Sequence, residues 1–320
     1  MTGQKEMKSP KKDLFDRVVD AYPSLSSKKR RIADLILKDF KKLFLMTAKE
    51  IADECGVSEP TVIRFTQDLG FTGYSDFVQH MKSVLRTELT SVERLTKTKH
   101  KLKDESTLKR YCENAMYNLE NIVTSISDFE LKRVARRIYK ADQVFVVGYR
   151  ASATLAYYFG YLLKKIKENV FVDTTISWEI IDLITKCNRP SLMCVFAFPR
   201  YPRRTIEIVR FAKQYGIDIL GISDNPRSPI ITLSDEYVII DVEGVSFIDP
   251  FSHIITFISA LVHEITFIDS ERAKQLLAKF DEGVKAAREF YTEDGINEEL
   301  EYKLDSEHLT SLWPQKKVKP

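Results

Sequence analysis

Apolar residues in the first third of the chain recur at spacings of three and four, the pattern of amphipathic helices. Ile32, Leu35 and Ile36 form one such group, and similar groups follow as far as residue 85. No β-branched run of the kind that forms strands interrupts them. The pattern predicts an all-α region, which we place at residues 14–90 after a basic flexible tail at residues 1–13.

The segment that follows, residues 91–106, is charged and poor in apolar residues. It is interpreted as a linker or as a solvated extension of a helix. A long amphipathic helix is predicted next, at about residues 108–126. Ser127 and Glu130 then have the spacing of a capping box, in which a hydroxyl and a carboxylate satisfy each other's free backbone amides at a helix start.

From residue 144 the pattern changes to short β-branched runs that alternate with helical segments. Each run is apolar on consecutive positions, as strands of a parallel sheet covered on both faces require. Five such runs predict a doubly wound α/β domain with a five-stranded parallel sheet, at residues 107–290 before a tail at 291–320. The predicted strands are residues 144–147, 170–172, 192–198, 217–222 and 237–240, and two helices are predicted after them, at 250–268 and 270–290.

Composition excludes several protein classes. With 44% hydrophobic residues among 320, the chain can bury a core. It has neither an apolar run of membrane-spanning length nor the apolar segment of a signal peptide, so we expect a cytoplasmic protein without a membrane partner. The four cysteines lack metal-site spacing, and we expect buried, reduced thiols and no metal; they are Cys55, Cys112, Cys187 and Cys194.

The net charge of +3 is unevenly distributed along the chain. Residues 1–105 contain 21 Lys and Arg against 16 Asp and Glu, a balance of +5, whereas the remainder has a balance of −2. The helical region therefore carries the positive charge that a nucleic-acid partner would require.

Residues 48–65 fit the helix-turn-helix pattern. Ala52 is small where the two helices approach each other, and Gly56 occupies the turn, where a positive φ would strain other residues. Ser58 is predicted to cap the second helix, and Pro60 in its first turn sacrifices no hydrogen bond. The positions predicted to be buried between the helices are Ile51, Cys55, Val57, Val62 and Phe65.

The second helix is predicted to enter the major groove of double-stranded DNA. Its outward residues, together with basic residues at the start of the helix before this motif, are the candidate DNA contacts. An alternative is an ordinary helical hairpin with a solvated basic face. The candidates are Ser58, Glu59, Thr61, Arg64 and Gln67 at the second helix, with Lys28 and Arg31 from the basic run at residues 28–31.

The residues at 25–33, 48–65 and 69–74 resemble the N-terminal domain of RpiR-type bacterial transcription regulators, most specifically in the string at 57–65. In that family the helix-turn-helix domain is joined to a sugar isomerase (SIS) domain that senses a phosphosugar. The resemblance extends over about residues 14–268. It implies homodimers or homotetramers, for which the helix at 250–268 is one candidate surface, although that helix can instead belong to the core.

Ligands of doubly wound sheets bind beyond the carboxyl ends of the strands. In the loop after the first strand, Gly148 is expected to let the backbone turn, and Arg150 and Ser152 are candidate contacts to an anion. The alternative for Ser152 is a helix cap only. The loop lacks the GxGxxG spacing of a dinucleotide site, so no cofactor is expected.

The loop after the third strand departs from the hydroxyl-rich phosphate-binding turn that the resemblance implies. Two prolines remove amide donors there, but Arg200, Arg203 and Arg204 can pair with a carboxylate or phosphate, and Tyr201 adds a flat surface. The alternative is a rigid loop whose arginines face water or another subunit. Ser246 could close the same cleft or be a turn residue.

Three functions are compatible with these features. The leading hypothesis is a DNA-binding transcription regulator whose α/β domain senses a small anionic metabolite and changes operator affinity. The first alternative is a sugar-phosphate isomerase with an appended helical domain, but His253, His263 and Glu264 form no convincing acid–base pair, so no catalytic residue is predicted. The second alternative is a metabolite-binding adaptor that contacts a protein instead of DNA.

Overall fold

The computed structural model describes residues 10–44, 46–88, 90–101, 106–175 and 177–290. The chain divides into two compact units, Met1–Ile268 and Asp269–Pro320. Most of the predicted N-terminal tail, the predicted C-terminal tail and residues 102–105 of the predicted linker lie outside the described residues.

The N-terminal part of the first unit is helical, as predicted. A short 3₁₀ turn, Tyr22–Ser24, follows the first helix, and the second helix is kinked at Asp39, whose φ of −151° and ψ of 72° are not helical. The last of these helices covers residues that were interpreted as a linker or a helix extension. The helices are α1 (Pro10–Ala21), α2 (Ser27–Phe44), α3 (Ala48–Cys55), α4 (Glu59–Asp68), α5 (Tyr74–Glu88) and α6 (Ser91–Lys101).

A single apolar cluster holds α1 to α5 together. Leu14, Ile36, Ile51 and Phe65 are each fully buried in it. Each such side chain contributes roughly 1.5–3 kcal/mol by leaving water. This cluster fixes the angle between α3 and α4, and therefore the direction in which α4 presents its outer face.

The rest of the first unit forms a five-stranded sheet in which every neighbouring pair is parallel, in the order β2-β1-β3-β4-β5. The predicted α/β fold is thus confirmed. The strands are β1 (Gln143–Gly148), β2 (Val170–Asp173), β3 (Ser191–Phe196), β4 (Asp218–Ser223) and β5 (Glu236–Ile239), and the helices are α7 (Thr107–Ser125), α8 (Asp128–Lys140), α9 (Ser152–Ile166), α10 (Trp178–Thr185), α11 (Arg203–Gln214) and α12 (Ser252–Ile268).

Helices cover both faces of the sheet. Residues of α8, α9 and α12 pack on one face, where the rings of Phe159 and Phe196 lie 5.7 Å apart. Residues of α10 and α11 pack on the other face. On α12, Ile254, Ile258 and Leu261 are fully buried, so this helix supplies part of the core. The capping box of Ser127 and Glu130 is present at the start of α8.

The strand order determines where a ligand can bind. The crossover from β1 leads to β2 on one side, whereas β3 lies on the other side of β1. The loops after β1 and β3 therefore diverge and leave a crevice at the carboxyl edge of the sheet, where ligands bind in open α/β sheets.

The second unit begins with α13 (Ser270–Ala286), whose N-cap Asp269 accepts a hydrogen bond from the amide of Arg272 at 3.0 Å. None of the described helices is both long and apolar enough to span a membrane.

The four cysteines are free thiols. The prediction that all of them are buried is wrong for two: Cys112 is exposed and Cys187 is half-buried. Cys112 lies on an outward-facing position of α7, where its neighbours in sequence, Arg110 and Glu113, are charged.

Candidate DNA interface and ligand cleft

Two local features define the helix-turn-helix segment. Thr47 and Glu50 form a capping box at the start of α3, because the Thr47 hydroxyl accepts from the Glu50 amide at 3.2 Å and the Glu50 carboxylate accepts from the Thr47 amide at 2.6 Å. The amide hydrogen bond lowers the pKa of the Glu50 carboxyl below its usual value. At the end of α3, Gly56 has a φ of 59°, and its left-handed conformation turns the chain towards α4.

The start of α4 differs in one respect from the prediction. Ser58 occupies the N-cap position, but its side chain makes no capping hydrogen bond. Its hydroxyl instead pairs with that of Thr61 at 2.8 Å, and its carbonyl accepts from the Thr61 amide at 2.8 Å. The Ser58 side chain is held by Thr61 because the two hydroxyls lie three positions apart at the helix start.

The predicted DNA contacts lie mostly on the surface. Thr61 is half-buried, and the others are exposed on α4 and α2. The apolar positions between the helices are buried as predicted, with Val57 only partly so. The exposed set comprises Ser58, Glu59, Arg64, Gln67, Lys28 and Arg31.

Two basic residues hold the far end of α4, and one of them belongs to the basic run at residues 28–31. Lys29 of α2 forms an ion pair with Asp68, and Arg17 of α1 donates to the carbonyl of Leu69 at 3.1 Å. Part of the basic run thus supports α4 from inside the domain. A cation beside the carbonyls at a helix end is a favourable arrangement.

A cleft of about 530 Å³ lies at the carboxyl edge of the sheet, between the loops after β1 and β3. Of the predicted ligand contacts, Arg150, Ser152 and Arg200 line it, whereas Gly148, Tyr201, Arg203, Arg204 and Ser246 are not among its lining residues. The lining is completed by Tyr149, Ala151, Phe198, Pro199, Pro202, Asp249 and Phe251.

The loop after β1 presents a cation and a hydroxyl to the cleft. Arg150 has a φ of 57°, so the turn occurs at this residue and not at Gly148 as expected. Gly148 is required for a different reason, since a Cβ there would lie 2.5 Å from the Ser152 carbonyl oxygen. Ser152 is 5% exposed and begins α9 without capping it through its side chain. The positive end of α9 therefore opens onto the cleft.

The loop after β3 separates its arginines. Arg200, at a φ of 71°, lines the cleft. Arg203 and Arg204 belong to the first turn of α11 and pair with Glu207 at 2.8 and 3.3 Å. The helical spacings of four and three residues bring these partners together.

The remaining residues considered from the sequence lie in this loop, in the loop before α12 and on α12 itself. The hydroxyl of Tyr201 donates to Asp224 at 2.7 Å. Ser246 is half-buried outside the cleft lining. His253 is buried, its Nε2 lies 2.9 Å from the carbonyl oxygen of Asp241, and burial lowers its pKa. The ring of His263 packs against Phe267 at 4.6 Å.

The inner wall of the cleft contains a hydrogen bond that the sequence analysis missed. Tyr149 is 3% exposed, and its hydroxyl donates to the buried Asp173 at 2.5 Å. Burial, followed by the hydrogen bond to Asp173, raises the pKa of Tyr149 far above its usual value. Phe198 and Phe251 add an apolar wall, with ring centroids 5.9 Å apart.

Comparison with known proteins identifies both halves of the chain. Residues 13–89 match the helix-turn-helix domain of the rpiR family, and residues 137–264 match the SIS domain. An uncharacterized HTH-type transcriptional regulator of Haemophilus influenzae is 24% identical over 232 residues, which are 72% of this chain and 80% of that protein.

Two solved structures have a similar fold. The sugar isomerase domain of an RpiR transcription factor from Sphaerobacter thermophilus is 22% identical, with a TM-score of 0.53, and covers 56% of this chain and 99% of its own. The Vibrio vulnificus NanR protein complexed with ManNAc-6P is 20% identical, with a TM-score of 0.53. The match covers 86% of this chain and 98% of the NanR chain. Because residues 13–89 match the rpiR-family helix-turn-helix domain and residues 137–264 match the SIS domain, the chain belongs to the RpiR-type transcriptional regulators, in which these two domains are joined.

Proposed function

We propose that this regulator binds operator DNA through α3 and α4, and that an anionic, phosphosugar-like metabolite in the cleft changes its affinity for the operator. The cleft is the observation that supports the binding of an anionic metabolite. Arg150, Arg200 and the buried Ser152 line one cavity at the start of α9. Two cations, a hydroxyl and a positive helix end favour an anion.

The size and polarity of the cleft support a small polar ligand. Its volume of about 530 Å³ is within the roughly 300–1,000 Å³ of small-molecule sites. Arginine binds phosphoryl and carboxylate groups through two parallel hydrogen bonds. The complex of NanR with ManNAc-6P supports a sugar phosphate as the first class of compound to test on this chain.

A binding role fits the cleft better than catalysis. An aldose–ketose isomerase needs a base beside an acid at the substrate. Among the cleft-lining residues Asp249 is the single carboxylate, there is no histidine, and Asp249 pairs with Arg94 at 2.6 Å. We therefore propose a regulator that is not an enzyme and that needs no cofactor.

We propose a homodimer or homotetramer as the DNA-bound form. One helix-turn-helix presents few base contacts, and two half-sites one helical turn apart require two of them. Ligand and operator would then be coupled reciprocally, so that each changes the affinity for the other by the same factor.

In the first test, the purified full-length protein is mixed with fragments of genomic DNA, and the fragments that it enriches are sequenced. Calorimetry follows, with sugar phosphates that include ManNAc-6P and with the same sugars lacking phosphate. We expect an enriched operator, and phosphate-dependent binding that Arg200→Gln weakens at least tenfold. The control is Arg210→Gln, an exposed arginine of α11 outside the cleft lining. Failure to enrich any DNA would favour the protein-binding adaptor, and equal binding of the unphosphorylated sugars would overturn the anion site.

A further inference from the structure

Helix α6 reaches the rim of the ligand cleft. Arg94 of α6 forms an ion pair with Asp249, with Nη2 and Oδ1 2.6 Å apart. The two residues are 155 positions apart in the sequence. Only 13% of the Arg94 side chain and 17% of the Asp249 side chain are exposed. Because Asp249 lines the cleft, one of the cleft's own charges is neutralised by the helix that follows the DNA-binding helices.

A second cleft residue contacts the same helix. Arg200 donates from Nη1 to the Ser91 hydroxyl at 3.3 Å. The start of α6 is fixed by a capping box, since the Thr90 amide donates to Glu93 at 2.8 Å and the Glu93 amide donates to Thr90 at 3.2 Å. Ser91 is therefore held at a defined position beside the cleft.

The end of the DNA-binding helices also lies against this edge of the sheet. Arg227, in the loop after β4, lies 5.3 Å from the ring centroid of Phe71 and donates to Nδ1 of the buried His80 at 3.1 Å. The loops after β3, after β4 and before α12 thus all contact residues between positions 71 and 94. The position of α6 at the cleft is supported by this neighbouring contact.

We propose that Arg94 is part of the effector site, and that an anionic effector competes with Asp249 for Arg94 and with Ser91 for Arg200. This inference rests on the proposed function, in which the cleft holds an anion. Asp249 repels an anion in the cleft unless Arg94 neutralises it. An anion bound at Arg150 and Arg200 attracts Arg94 away from Asp249 and draws Arg200 away from Ser91. Both contacts of α6 change, so occupancy of the cleft alters the restraint on the adjoining DNA-binding helices.

The competition predicts opposite effects from the two members of the ion pair. In the full-length protein, Arg94→Gln should weaken the binding of a sugar phosphate such as ManNAc-6P roughly tenfold, because a cation is lost from the site. Asp249→Asn should tighten it, because the competing carboxylate is removed. Arg94→Gln should also reduce the factor by which the sugar phosphate changes operator affinity, measured by fluorescence anisotropy. Arg136→Gln, an exposed arginine of α8 outside the cleft lining, is the matched control and should change neither quantity.

The outcomes separate this inference from the proposed function. If the wild type binds no anionic compound, the sensor function fails and the inference fails with it. A second outcome is that the wild type binds a sugar phosphate and Arg200→Gln weakens this binding, as the proposed function expects. If Arg94→Gln and Asp249→Asn then both leave the affinity unchanged, or both weaken it, only the competition is overturned. Urea unfolding of each variant establishes that the protein measured is folded.

Discussion

Tyr149 donates a 2.5 Å hydrogen bond to Asp173, and so joins the loop after β1 to the end of β2. The other oxygen of Asp173 accepts from the Ser177 amide at 3.0 Å, just before α10. One buried carboxylate therefore connects three segments behind the cleft. Arg150, which lines the cleft, is the residue next to Tyr149 in this loop.

Tyr149→Phe should reduce the free energy of unfolding by about 1–3 kcal/mol, because a buried carboxylate loses a hydrogen-bond donor. Sugar-phosphate binding should weaken as well, since the loop that carries Arg150 is less well fixed. Urea unfolding and calorimetry measure the two effects. Tyr157→Phe removes the same hydroxyl from a residue that is 64% exposed and should change stability little; similar losses from both variants would contradict the role of Asp173.

Gly56→Ala should destabilise the DNA-binding helices by about 1 kcal/mol. At its φ of 59° a Cβ is strained, and the added atom would lie 3.1 Å from Nη1 of Arg31. Thermal unfolding measures the effect. Gly283→Ala in α13 is the matched control, because a Cβ there meets nothing within 4 Å and alanine favours a helix. If Gly56→Ala and Gly283→Ala have the same midpoint of thermal unfolding, the turn at Gly56 is not strained by a side chain.

Arg64→Ala should weaken binding to the selected operator by roughly 1–3 kcal/mol and relax sequence preference at one position. Lys28→Ala, by contrast, should weaken binding to all DNA sequences equally and make binding less salt-dependent. Anisotropy titrations at several salt concentrations distinguish the two. Lys132→Ala, exposed on α8, controls for the loss of charge. Equal operator affinity of the Arg64 variant and the wild type would remove Arg64 from the reading surface.

Stability should fall as the pH is lowered through the range just below 6.5, partly because of His253. Burial lowers the pKa of this imidazole in the folded protein, so its stabilising contribution is complete above the unfolded value and is lost as the pH falls towards the folded one. His253→Gln keeps a donor for the Asp241 carbonyl but cannot take up a proton. The variant should lose less stability than the wild type between pH 7 and pH 5 in urea titrations, and parallel curves would show that His253 does not contribute.

Local signals in the sequence were sufficient for the fold. The spacing of Ser127 and Glu130, the Gly56 turn and the consecutive apolar strands all depend on residues close in sequence. The same kind of signal exists for Thr47 and Glu50, which have capping-box spacing, and for Arg203 with Glu207 at four residues. The four-residue spacing of Arg203 and Glu207 therefore predicts an ion pair on the surface of α11, away from the cleft.

The candidate site was less accessible to prediction because its contacts join distant segments. The Tyr149–Asp173 hydrogen bond links two strand ends, and the Arg94–Asp249 ion pair links residues 155 positions apart. Neither has a spacing rule, since strand order and loop geometry determine which side chains meet. The sequence could indicate that Arg150 and Arg200 follow strands at the same edge, but not which of the three arginines after β3 faces the cleft.

Arg150 and Arg200 have φ values of 57° and 71°, a backbone region in which glycine is far more favourable. Replacing Arg150 with glycine should therefore raise thermal stability while removing a charge from the cleft. If both arginines bind the effector as proposed, their strained backbone is a trade-off in which folding stability is lower and two positive charges are placed at one cavity. A stability screen alone would select against the residues on which the proposed sensing depends.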